Sequence, residues 1–189
     1  MSWTRSKQER RWWTVSLVYL VAIYLSLYPL QFVMTFLRER NLLRLSMAAL
    51  FAATAAVVVA VMRRRRATRR EWLALLLVGA VYLLLLSRMT IIQERLHLIE
   101  YGALALGFRA ALVARAAAGG GRAGVPPSLG ALLLATGAGW LDEGIQAILP
   151  NRVYDLRDVG FNGLAAGVAL LSSWTLDRAR PTEAFDGTG

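Results

Sequence analysis

Residues Trp140 to Gly163 read WLDEGIQAILPNRVYDLRDVGFNG. The stretch holds Asp142, Glu143, Gln146, Arg152, Asp155, Arg157, Asp158 and Asn162, and apolar runs flank it on both sides. An ionisable side chain at the centre of a bilayer costs at least about 2.5 kcal/mol, so charges set into apolar sequence need partners or water. The stretch therefore reads as the end of one membrane helix, a polar turn and the start of the next. It is where a functional site is expected, and the rest of the chain reads as the helices that hold it.

The flanking composition agrees. Of the 189 residues, 57% are hydrophobic and the mean hydropathy is +0.46, and several apolar runs approach the roughly 20 residues that cross a bilayer. The net charge of +10 does not point to nucleic acid. The basic residues stand in the gaps between apolar runs, where they orient helices and meet anionic lipid. Without cysteine the chain can form no disulfide, thiolate metal site or cysteine nucleophile.

In chain order, a basic and aromatic lead (Trp3, Arg5, Lys7, Arg10, Arg11, Trp12) opens into a first span over 13–34, with Pro29 expected to kink its far end. That run lacks a small-residue cleavage site, so it reads as an uncleaved anchor. Further spans are expected over 42–62, 72–87, 96–113, 129–149 and 159–176. Between the second and third stand Arg63–Arg66, Arg69 and Arg70, the composition of a cytoplasmic loop under the positive-inside rule. AAAGGGRAGVPP, residues 116–127, has the composition of a flexible loop. The expected architecture is an all-α integral membrane protein of six transmembrane helices. It divides into a two-span extension (1–70), a four-helix part (71–176) and a polar, disordered tail (177–189). With both termini inside, 15 of the 22 Lys and Arg fall on the cytoplasmic side and 7 outside, which favours that orientation. The polar groups at the start of span four, the end of span five and the start of span six then lie at similar depth on the extracytoplasmic side.

His97, Glu100 and Tyr101 share one helical face by spacing, as do Asp142 and Gln146, and Asp158 and Asn162. Asp158 stands near a helix start, where a carboxylate is favoured as a cap. Arg152 follows a Pro-Asn turn and is suited either to clamp a carboxylate or phosphate ligand or to pair internally with Glu100, Glu143 or Asp155. His97, the only histidine, is open to a structural role, to acid–base work or to metal ligation. A set of His97, Glu100, Asp142 and Glu143 has ligand chemistry but matches no established spacing such as HExxH, so no metal is expected. No nucleophile elbow accompanies it. Gly163 and Gly167, Ala135 and Gly139, and Gly102 and Gly107 read as helix-packing contacts.

LHLIEYGALAL together with LDEGIQAILPNRVYDLRDVGFNGLAAG closely resembles the VanZ-like membrane proteins. The matching residues are His97, Glu100, Tyr101, Asp142, Glu143, Gln146, Pro150, Arg152, Asp155, Asp158, Asn162 and Gly163, across about residues 71–176. The chain departs from relatives that carry a histidine just before the glutamine, having Ile145 there. The resemblance implies a four-helix VanZ-like core in a bacterial cell membrane, with the matched polar residues forming a pocket. Its partners would be membrane lipid, and a lipid-linked envelope precursor or a lipophilic glycopeptide of the teicoplanin type. The family's name brings no settled activity or cofactor, and oligomeric state is not readable. The leading expectation is a binding module, beside two alternatives: an integral-membrane enzyme acting on a lipid or glycan substrate, and a scaffold whose polar residues lock helix packing.

The charge distribution is testable by topology mapping. Reporters inserted at Gly120 and fused after Arg180 should both read cytoplasmic, and a cysteine introduced at Asn151 should label from outside intact cells. Outside labelling at Gly120 would reverse the expected side.

Overall fold

A computed structural model describes residues 4–89, 95–120, 125–150 and 154–179. Among these residues the chain is all-helical, in six α-helices: α1 (Lys7–Glu39), α2 (Leu43–Arg64), α3 (Arg69–Arg88), α4 (Arg95–Arg115), α5 (Pro127–Gln146) and α6 (Leu156–Ala179). Each occupies a region where a span was expected. Five of them, α1–α4 and α6, are long and apolar enough to cross a membrane. The fifth expected span, α5, is 20 residues long but less apolar, because Asp142, Glu143 and Gln146 crowd its final turns.

The helix starts follow local chemistry. Ser6 accepts from the Glu9 amide at 3.0 Å, while the Glu9 carboxylate accepts from the Arg5 amide at 2.7 Å. Thr68 and Glu71 form a reciprocal capping box at the start of α3, satisfying donors that a helix start leaves open. Pro127 occupies the first position of α5, where its missing N–H is not needed. The 33 residues of α1 run without a break through Pro29 and reach about 50 Å, so its ends project past a hydrocarbon core of about 30 Å. The glycine-rich stretch after α4 is not wholly loop. Ala116–Gly120 continue as a π-type turn, in which Gly119 takes a φ of 73°; residues 121–124 lie outside the described set.

The outer surface is apolar, unlike that of a water-soluble bundle. Leu25, Leu45, Leu76 and Leu83 are largely exposed, an apolar surface that suits acyl chains and not water. Glu9, Glu71, Asp142, Glu143, Gln146 and Asn162 are buried. α4 is the central helix, in contact with α1, α5 and α6, while α3 reaches the bundle through α6. The stripe Leu98, Tyr101, Leu104, Ala105, Phe108 and Ala111 on α4 meets Ala131, Ala135 and Ala138 of α5 and Ala165 and Ala166 of α6. Small residues let these backbones approach closely where lipid offers no hydrophobic drive to association.

α1 is built into this core. Trp13 packs against Phe108 with ring centroids 5.7 Å apart, Tyr24 donates to the Ala138 carbonyl at 2.8 Å, and Ser16 faces Gly107. At the start of α1, Glu9 pairs with Arg115 at 3.7 Å and the Arg5 guanidinium donates to the Gly119 carbonyl at 2.7 Å. The last turns of α6 reach past the expected span end: Asp177 is helical and accepts from Arg109 at 2.8 Å. Residues 180–189, most of the expected tail, lie outside the described set.

Gly102, Gly107, Gly139 and Gly163 sit at close helix contacts, whereas Gly167 faces open space. At Gly139 an added Cβ would stand 2.5 Å from the Asn162 Cβ, with two further Asn162 atoms within 3 Å. Gly139→Ala should therefore destabilise the detergent-solubilised protein by about 1–3 kcal/mol through overpacking, lowering its thermal midpoint. Gly137→Ala, with nothing within 4 Å, should not; equal midpoints for the two variants would refute the close α5–α6 contact.

Candidate functional site

Three helix ends converge: the start of α4, the end of α5 and the start of α6. The first turns of α4 present His97 and Glu100, with His97 Nδ1 3.9 Å from a Glu100 carboxylate oxygen and the His97 ring 5.8 Å from that of Tyr101. The final turns of α5 bring Asp142, Glu143 and Gln146 inside, each buried. Gln146 Nε2 donates to Glu143 Oε1 at 3.0 Å. Glu143 Oε2 accepts from the backbone N–H of Asp155, at 3.2 Å, just before α6 begins. One carboxylate thus joins the end of α5 to the start of α6.

Asp155 itself receives the Arg157 amide at 2.8 Å, the capping contact at the start of α6, while Asp158 stands within the first turn, half-buried and facing the cleft. Deeper along α6, Asn162 is fully buried and donates to the Gly139 carbonyl at 3.4 Å. Asp142 lies within electrostatic reach of Tyr24, Glu100 and Tyr101. Arg152 lies outside the described residues.

These groups border a cleft of about 790 Å³. His97, Glu100, Gln146, Asp155 and Asp158 line it directly, while Tyr101, Asp142, Glu143 and Asn162 stand behind them. The facing wall is the second half of α1: Tyr28, Gln31, Thr35 and Arg38, interleaved with Leu27, Leu30, Phe32, Met34 and Phe36. The site is therefore polar at its floor, and its α1 wall mixes polar and apolar side chains. Trp140 Nε1 donates to the Tyr154 hydroxyl at 3.0 Å, and Tyr154 closes part of the rim.

The α1 wall was missed in the sequence, although a signal for it existed. Tyr28, Gln31, Thr35 and Arg38 recur at intervals of three and four, which places them on one helical face of an otherwise apolar run. The structure also gathers a set that spacing alone does not reveal. One ligand-type atom each from His97, Glu143 and Asp158, carried by three different helices, lies within 4.8 Å of the others.

Compared with models of known protein families, with curated proteins and with solved structures, the chain matches none.

The Glu143 junction carries a stability prediction. Glu143→Ala removes the acceptor of both the Gln146 amide and the Asp155 backbone N–H, and an unsatisfied buried donor costs about 1–3 kcal/mol. The variant should show a lower thermal midpoint and faster amide exchange at the start of α6 by mass spectrometry. Glu39→Ala, exposed on the cleft rim, should match the wild type in both.

Proposed function

We propose that this chain is a VanZ-like protein of the bacterial cytoplasmic membrane, with six spans and both termini inside. Its cleft opens on the extracytoplasmic side and binds the headgroup of a cell-envelope lipid, of a lipid-linked precursor or of a lipophilic glycopeptide. The observation that carries this reading is the two-sided cleft. Its polar floor (His97, Glu100, Gln146, Asp155, Asp158) suits a hydrated headgroup, and the apolar members of its mixed α1 wall (Leu30, Phe32, Phe36) suit the attached chain. About 790 Å³ is in the range of sites that enclose a small ligand. As a sixth span, α5 is adequate in length, since 20 residues make about 30 Å, and its acidic residues are turned into the protein, away from lipid.

A second reading, an enzyme acting on such a lipid or glycan, draws on the proximity of His97 to Glu143 and Asp158. A histidine beside carboxylates at a cleft has the parts for general acid–base work. Under the third reading, a scaffold, the same groups serve only to lock the helices.

The readings separate by measuring affinity, product and thermal midpoint on one preparation in nanodiscs, with a polyprenyl-diphosphate lipid, phosphatidylglycerol and teicoplanin as probes. The binding module predicts saturable binding of at least one probe, weakened about tenfold or more by Glu143→Gln and by Arg152→Ala and left unchanged by Arg66→Ala. Chemical conversion of a probe by wild type, collapsing about 10²-fold in Glu143→Gln at unchanged affinity, would establish the enzyme instead. Binding that is indifferent to all three substitutions would leave the scaffold.

A further inference from the structure

The geometry points to a divalent metal site at the floor of the cleft, formed by His97 of α4, Glu143 of α5 and Asp158 of α6. Their ligand atoms lie within 4.8 Å of one another. Two donors on one ion, each at about 2.0–2.2 Å, stand about 3.4 Å apart in tetrahedral geometry. The three side chains therefore need to close by at most about 1.4 Å, a distance on the scale of side-chain rotation.

The surroundings are those of ligands held in place. Glu143 is fully buried, and its two oxygens accept from the Gln146 side chain and the Asp155 backbone, outer hydrogen bonds of the kind that orient a ligating carboxylate. One turn beyond Asp158, on the same face of α6, the fully buried Asn162 has an Oδ1 with no hydrogen-bond partner among the described residues. Glu100 and Asp155 add further carboxylates along the same cleft. One imidazole nitrogen with two carboxylates, and no sulfur, suits borderline Zn²⁺ or the harder Mn²⁺ over a soft, thiolate-seeking ion. Because His97 and Asp158 line the cleft while Glu143 lies behind them, the remaining coordination positions of the ion face the cleft. There they take water or an anionic group.

This site stands independently of the lipid reading, since it needs only the three side chains. The experiment uses the full chain in detergent, without a histidine tag and without added lipid, stripped by a chelator and titrated with ZnCl₂ or MnCl₂. Calorimetry and elemental analysis should give about one ion per chain. His97→Ala and Asp158→Asn should each weaken binding at least about tenfold, as loss of even an outer partner does, while Asp177→Asn at the opposite end of α6 should bind as wild type. Gel filtration and circular dichroism check folding, and if His97→Ala does not fold, Asp158→Asn carries the test. Wild type that takes up no more metal than these variants overturns the site. Uptake that survives both substitutions places the ion elsewhere and overturns it equally.

Discussion

A buried carboxylate with two donors ties this structure together. Glu143 is inaccessible, yet each of its oxygens accepts a hydrogen bond, one from the next turn of its own helix and one from the backbone before α6. In lipid a polar group has no water to fall back on, so it must find partners within the protein. That requirement fixes how α5 ends and α6 begins, and it draws the polar ends of both helices toward α4. The same constraint explains why the exposed surface is leucine-rich while acids and amides lie inside.

Close helix approach makes the arrangement possible. Alanines on α5 and α6 and the stripe of α4 leave little room between backbones, and Gly139 admits Asn162 where any side chain would collide. With α4–α6 held at this distance, their polar ends share one small volume instead of facing lipid separately. At the opposite end of the bundle, the start of α1 is fastened to the end of α4 through Glu9–Arg115 and Arg5–Gly119. The second half of α1 is thereby laid along the cleft as its wall, adding polar and apolar side chains side by side to the site.

Much of this was legible in the sequence. Apolar runs punctuated by arginines located all six helices, because a bilayer demands length and apolarity in local sequence. Helical spacing placed His97 with Tyr101 and Asp158 with Asn162, since residues three and four apart share a face whatever the tertiary context. The lower apolarity of α5 was also written in its composition, in the acids and amides of its final turns.

What the sequence by itself determined, then, was the helical class, the helix positions and the inventory of polar groups. The tertiary structure alone decided which of those groups meet. That His97, Glu143 and Asp158 converge depends on the angles and registers of three helices, and no periodicity within one helix encodes the distance between two. The same holds for α1. Its Tyr28, Gln31, Thr35 and Arg38 face was present in the sequence, but that it borders the cleft follows from packing against α4. Asp155 caps α6 for a related reason: its place rests on where the chain leaves the turn, which Glu143 sets from the neighbouring helix.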